Sequence, residues 1–130
     1  MRVAIVKSDG NELEIVNDFT LSIQDIRAVV GADFRLLTLL VEDNGSALHL
    51  YHREDVRGVL SEPNLAIIQK EGLKLLDVVH GNVVFIRTTP QGDEVSITEK
   101  DIAFLKERLF FYQDGKSLGP YLRKCYIIDL

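Results

Sequence analysis

The longest apolar segment of the chain spans residues 73–87 and is interrupted by Asp77 and by the tripeptide His80-Gly81-Asn82. Its Val, Leu, Ile and Phe residues favour buried strands, and a glycine beside an asparagine favours a tight turn. We therefore expect two buried strands that meet at Gly81, with this glycine in a backbone conformation that few other residues accept. Such polar residues occupy an apolar centre when the backbone bends there or when they contact a partner.

Length and composition are those of one globular domain, with 130 residues of which 46% are hydrophobic. No apolar run reaches the roughly 18 residues that a membrane span needs, and the N-terminal segment is too short for a signal peptide. The single cysteine, Cys125, excludes an internal disulfide and is predicted to be a packed residue instead of a nucleophile. These features predict a cytoplasmic protein that does not enter a membrane.

The charge pattern disfavours nucleic acid as a partner. The net charge is −5, and phosphate contacts require clustered Lys and Arg side chains. The basic residues near the end of the chain, Lys116, Arg123 and Lys124, are sparse, so we expect them to form a solvated rim.

Asp-Gly and Asn-Gly turn signals predict two β-hairpins in the first half of the chain. Asp9-Gly10 separates a strand at residues 3–6 from an alternating segment, and Asn44-Gly45 separates strands at residues 34–41 and 47–52.

Capping residues predict two helices. Ser22, with Asp25 three residues later, begins a helix that ends at Gly31, and Thr98 begins a second helix that we extend to Gln113. Residues 65–71 fit either a third short helix or a strand, and propensity does not decide between them.

These elements predict an α+β fold. We expect a single compact domain, residues 1–130, with a mostly antiparallel sheet built from β-hairpins and with two or three helices. Residues 1–112 are expected to form the core and residues 113–130 a tail, with a strand from Tyr121 to Ile128.

Motifs of catalysis and metal binding are missing from the sequence. It contains no GxGxxG, P-loop, HExxH or GxSxG motif. His49 and His52 would point to opposite faces of a strand, and zinc requires three or four convergent ligands. We therefore assign no catalytic residue, metal or cofactor.

His80 has two interpretations, and the first is a core or turn histidine that is hydrogen-bonded to backbone. In the second, His80, Asn82 and Arg87 line a pocket for a small anionic ligand, in which histidine titrates and arginine pairs with the anion. We include Asn64 among these candidate ligand-binding residues.

The last predicted helix carries more apolar residues than one face can bury. A core stripe is already supplied by Ile102, Leu105, Leu109 and Tyr112, and further aromatic rings lie outside it. We therefore expect a homodimer or higher homo-oligomer whose interface contains Phe104, Phe110, Phe111 and Tyr121. The alternative is that the tail folds back over these rings.

The order of several short motifs resembles a small family of unknown-function proteins carried by phages and conjugative elements of gut Firmicutes. The resemblance covers about residues 1 to 108. It rests on Thr20-Leu21 with Gln24 and Val30-Gly31, on Asn64, on the segments 76–84 and 92–96, and on Thr98-Glu99-Lys100-Asp101-Ile102. It implies an accessory protein of a mobile element in the bacterial cytosol and supplies no catalytic residues.

Three functions follow as hypotheses. The leading one is a non-enzymatic binding protein that acts against host defence, either by binding a host protein or by sequestering a small anionic nucleotide signal. The second is a small enzyme acting on a nucleotide or nucleic acid, and the third is a structural oligomer subunit.

Overall fold

The computed structural model describes residues 1–20, 22–31, 33–54, 63–111 and 124–129. Its elements in chain order are β1 (Val3–Val6), β2 (Glu14–Val16), α1 (Ile23–Val30), β3 (Phe34–Val41), β4 (Ala47–Arg53), β5 (Pro63–Gln69), a 3₁₀ turn (Glu71–Leu73), β6 (Lys74–His80), β7 (Val83–Thr88), β8 (Glu94–Val95), α2 (Glu99–Arg108), β9 (Leu109–Phe111) and β10 (Lys124–Ile128).

The strands form two sheets. The large sheet has the order β2-β1-β7-β4-β3, with β8 paired to β7, and the small sheet has the order β6-β5-β10-β9. All neighbours are antiparallel except β5 and β10, which are parallel. With two α-helices among the described residues and mostly antiparallel sheets, this architecture confirms the α+β prediction.

The main core lies between the two sheets. It combines residues of the large sheet, residues of the small sheet and the apolar side of α2, including Ala4, Leu50, Phe85, Leu65, Ile67, Leu105 and Tyr126. The helix α1 covers the opposite face of the large sheet, where Ile26 and Val30 pack beside Val84. No helix among the described residues is long and apolar enough to cross a membrane.

Local capping chemistry fixes both helix starts and the end of α1 as predicted. The Ser22 side chain accepts a hydrogen bond from the Asp25 N–H at 3.0 Å, and Gly31 ends α1 with φ of 91°. Thr98 and Asp101 form a reciprocal capping box at the start of α2. Short-range hydrogen bonds of this kind can be read from sequence because all their partners are neighbours in the chain.

Long-range pairing decides one open alternative and corrects one prediction. Residues 63–69 form a strand because β10 and β6 pair with both of its edges. The last helix ends at Arg108 and not at Gln113, since residues 109–111 pair with β10. Leucine and phenylalanine fit a pleated sheet surface, so the neighbouring strand overrides their helical spacing.

The first half of the segment 73–87 is exposed, contrary to the prediction of two buried strands. In β6, Leu75 and Leu76 are 54% and 42% exposed, whereas β7 is buried throughout. The cause is position, because β6 is an outer strand of the small sheet and β7 lies between β1 and β4.

Candidate functional site

Gly81 lies where the chain crosses from one sheet to the other. His80 ends β6 in the small sheet, and Val83 begins β7 in the large sheet. The glycine has φ of +72°, and a Cβ atom there would lie 3.2 Å from the Val30 carbonyl oxygen. This geometry confirms the predicted bend and the need for glycine.

Two asparagine side chains hold this crossing point together. Asn82 accepts a hydrogen bond from the Ser8 N–H at 2.9 Å and donates to the Val29 carbonyl at 3.0 Å. Asn64 is 1% exposed and donates to the carbonyls of Val6 (2.9 Å) and Gly81 (2.7 Å). These two amides bind four backbone groups from three segments of the chain, which is a structural task.

Arg87 belongs to a different cluster. Its guanidinium donates to Asp101 at 2.6 and 2.7 Å and to Glu42 at 3.2 and 3.4 Å. Burial alone would raise the pKa of Asp101, but the hydrogen bonds from Arg87 and Thr98 outweigh it and lower that pKa. The positive charge of Arg87 is therefore balanced inside the protein.

The structure brings together only part of the predicted ligand pocket. Asn64, His80 and Asn82 share the crossing point, while Arg87 lies five residues after Asn82 along β7, about 16 Å away by strand geometry. That these four residues bind a ligand stays a prediction.

A buried lysine that sequence reasoning placed on a solvated rim holds the β1–β2 turn. Lys124 is 6% exposed, and its ammonium donates to the carbonyls of Lys7 (2.7 Å), Ser8 (3.0 Å) and Gly10 (2.9 Å). Burial lowers the pKa of Lys124, and the charge of Asp9 opposes this effect. The rim prediction is therefore wrong for Lys124, because the register of β10 points this side chain inward; Lys116 and Arg123 lie outside the described residues.

His49 occupies a polar strip on the outer face of the large sheet. Its Nδ1 lies 3.0 Å from Thr38 Oγ1 and its Nε2 lies 2.9 Å from Thr88 Oγ1. Burial lowers the pKa of this imidazole. Both ring nitrogens are thus paired with hydroxyl groups, and the described part of the chain contains no group of His, Cys, Asp and Glu residues that would hold a metal.

The aromatic edge strand β9 is the best candidate for an interaction surface. Phe110 is 47% exposed and borders a groove of about 240 Å³ together with Ile127. Charged side chains surround this apolar centre, namely Lys70, Glu107, Arg108 and Asp129. We call this concavity the Phe110 groove.

Ion pairs organise the rim of the Phe110 groove. Arg108 donates to Asp129 at 2.8 Å, and its guanidinium lies 3.6 Å from the centre of the Phe104 ring. Lys70 lies 3.8 Å from Asp129 and Glu107 lies 3.4 Å from Arg108, but the side chains of Lys70 and Glu107 remain about three-quarters exposed, at 73% and 76%. The groove therefore combines an apolar centre with a rim of ion pairs, whose two most exposed members, Lys70 and Glu107, have opposite charges.

Phe111 points to the opposite side of β9. It borders a second groove of about 400 Å³ with Leu109 and Leu13, and polar residues complete the lining: Asn11, Glu12 and Lys106. Because neighbouring residues of a strand alternate between faces, a three-residue strand places one phenylalanine in each groove.

The outer face of the small sheet is apolar from one edge to the other. One row across the strands consists of Phe110, Cys125, Ala66 and Val78, and the next consists of Ile127, Ile68 and Leu75. Cys125 and Ala66 are fully buried, as predicted for the cysteine, whereas Phe110 and Leu75 at the two edges are about half exposed. We call these two rows the outer apolar face.

The predicted aromatic interface is thus partly reassigned. Phe110 and Phe111 lie on opposite faces of a strand and not on the last helix, and the Phe104 ring is covered by Arg108. Tyr121 lies outside the described residues. The excess of aromatic residues was visible in the sequence, but their partners Ile127 and Asp129 come from a distant strand.

Comparison of the chain with protein-family models, with curated proteins and with solved structures gave no match.

Proposed function

We propose that the chain is a non-enzymatic binding protein whose partner is another protein, bound through the Phe110 groove. The observation that carries this proposal is the exposure of Phe110, 47%, at the border of a concave surface with a charged rim. An apolar centre surrounded by polar groups is the usual anatomy of a protein–protein interface. Aromatic residues in such centres supply much of the binding energy.

The rim chemistry supports a protein partner over a small anion. An anion site requires convergent cations, but Arg87 is neutralised by Asp101 and Glu42, and Arg108 is paired with Asp129. The accessible charges of the Phe110 groove, Lys70 and Glu107, have opposite signs. They fit a protein segment that inserts one apolar side chain and carries charges of both signs beside it.

The biological setting in this proposal comes from the sequence resemblance. An accessory protein of a phage or conjugative element would use the Phe110 groove to bind a protein of its bacterial host, with interference in host defence as the expected effect.

Site-specific cross-linking in bacterial lysate tests the groove. A photo-reactive amino acid at position 110 should cross-link a protein, and one at Val41, which is 63% exposed on the large sheet, should not. Phe110→Asp should abolish capture of the same protein by the unlabelled chain, while Val41→Asp should retain it.

Two results would contradict the proposal. One is equal cross-linking from positions 110 and 41. The other is a nucleotide released on heat denaturation of the purified chain and bound equally well by Phe110→Asp.

A further inference from the structure

The edge of the small sheet opposite the Phe110 groove is a second exposed apolar surface. Leu73, Leu75 and Leu76 are 69%, 54% and 42% exposed within four residues of β6 and the turn before it. Together they form a patch in the size range of a few hundred Å² that commonly marks an interaction site. We call these three residues the leucine edge.

One of these leucines, Leu73, has an unusual backbone conformation. Leu73 has φ of +50°, and it is the single non-glycine residue with positive φ in the part of the chain that the structure describes. Leucine rarely adopts this conformation, because its Cβ approaches the backbone carbonyl. Unusual backbone at an exposed apolar residue is typical of a surface that has a binding task.

A β-bulge aligns two opposite charges on the same side of this edge. Asp77 pairs with Ile67 and Lys74 pairs with Gln69, and the register shifts between Ile67 and Ile68. Because Ile67 and Gln69 are two residues apart, Lys74 and Asp77 point to the same face of the sheet although they are three residues apart.

We propose that two copies of the chain associate through the leucine edge as a symmetric dimer. An antiparallel two-fold arrangement centred between Leu75 and Leu76 puts Lys74 of each copy opposite Asp77 of the other. Cross-strand neighbours share one face of a sheet, and the bulge satisfies this condition. The segment Leu73–Asp77 is therefore complementary to itself in both apolar surface and charge, which identifies a second copy as the partner.

The dimer contact is short. The Val78 N–H donates to the carboxylate of Asp77 at 2.7 Å, so it is not available to a second strand and the paired segment ends at Asp77. The association therefore depends on the leucine side chains and the two Lys74–Asp77 pairs, and its small area gives a weak, concentration-dependent dimer.

The arrangement would place two Phe110 grooves on one surface. The two-fold axis is perpendicular to the sheet, so both outer apolar faces point in the same direction. Eight strands would lie in the order β9-β10-β5-β6 and its mirror sequence, with the two β9 strands about 34 Å apart at the usual strand spacing. Two grooves on one surface would strengthen binding to a multivalent partner. This consequence rests on the proposed function, whereas the dimer itself does not.

Sedimentation velocity of the full chain from about 1 μM to about 1 mM tests the dimer. The wild type should change from monomer to dimer, and Leu75→Glu should remain monomeric with an unchanged far-UV circular dichroism spectrum. Lys74→Asp and Asp77→Lys should each weaken the dimer at least tenfold by placing like charges together, and the double exchange should restore it. Val41→Glu, on the large sheet, should dimerise like the wild type.

The proposal is overturned if the wild type stays monomeric over the whole concentration range. It is also overturned if the dimer persists in Leu75→Glu and in both single charge variants. Phe110→Asp separates this proposal from the proposed function, since it should dimerise normally but lose the cross-linked partner. If Phe110→Asp loses the dimer as well, the association lies at β9 and the leucine-edge dimer is wrong.

Discussion

Arg87 and Asp101 form a two-point ion pair that joins β7 to the first turn of α2. The Nε–Oδ2 and Nη2–Oδ1 distances are 2.7 and 2.6 Å, and the two residues are only 8% and 1% exposed. Asp101 also accepts from the Thr98 backbone N–H, so the same carboxylate caps the helix and balances the arginine. The Asp101 side chain thus connects β7 of the large sheet to the first turn of α2. Its substitution should therefore destabilise both elements.

Arg87→Met should lower the free energy of unfolding by about 3–5 kcal/mol, because it leaves the Asp101 carboxylate buried without its cation. Urea denaturation measures this loss. The matched control is Arg2→Met, which removes an ion pair to Glu99 that also has a 2.7 Å distance but is solvent-exposed. That variant should lose less than about 1 kcal/mol, and equal losses in the two variants would contradict the assignment.

The Arg87–Asp101 pair also predicts that the protein loses stability at low pH. The pKa of Asp101 is below its ordinary value of 3.8, so the folded state releases this proton more readily than the unfolded state. Its stabilising contribution is complete above the unfolded pKa and is lost as pH falls through the folded pKa. Stability of the wild type should therefore decrease more steeply below about pH 4 than that of Asp101→Asn, measured by urea denaturation over a pH series.

Gly81→Ala should be more destabilising than Gly72→Ala. Both glycines have positive φ, +72° and +77°, so both variants should lose about 1–2 kcal/mol from backbone strain. Only at Gly81 does the added Cβ meet a backbone atom, the Val30 carbonyl oxygen at 3.2 Å, whereas nothing lies within 4 Å at Gly72. Thermal unfolding of the two variants measures the difference, and an equal loss would show that α1 moves away freely.

His49 should make stability depend on pH near neutrality. Burial lowers the pKa of this imidazole below 6.5, so the unfolded chain binds the proton more tightly than the folded chain. The free energy of unfolding should therefore rise with pH between the His49 pKa of the folded state and about 6.5. His49→Gln should have a flatter profile, and a two-dimensional NMR titration of the ring should give a midpoint below 6.5. A midpoint above that value would refute the prediction.

Lys124→Met should lower the free energy of unfolding by about 2–4 kcal/mol, because three carbonyls of the β1–β2 turn lose a charged donor. Hydrogen exchange should show the local effect as faster exchange of the Gly10 amide, which donates to Lys7 within the same turn. The control is Lys70→Met on the surface of the protein, which should change neither quantity.

Sequence alone predicted the parts of this fold that depend on near neighbours. Ser22, Gly31 and Thr98 mark helix ends through contacts within a few residues, and Gly81 is flanked by the polar residues that signal a turn. The nature of residues 63–69 could not be decided, because it depends on β10, about sixty residues later. Lys124 was misplaced for the same reason, since its carbonyl partners are more than 110 residues away.

The candidate site likewise has one part that is predictable from local sequence and one part that is not. The apolar excess at Phe110 is a property of the local sequence, and an exposed aromatic surface could be expected from it. The groove needs Lys70, which follows β5, and Ile127 and Asp129 at the end of β10, and only the sheet order brings them together.

The parallel pair β5–β10 makes the order of synthesis matter for this chain. A ribosome produces β5, β6 and β9 before β10, yet β10 is the strand that separates β5 from β9 in the finished sheet. Until residues 124–128 emerge, the nascent chain carries a hairpin with one unfilled edge, while Leu109–Phe111 has no strand to join. Such intermediates expose strand edges that aggregate readily. Deletion of these five residues should therefore give an insoluble product during expression, and not merely a shortened protein.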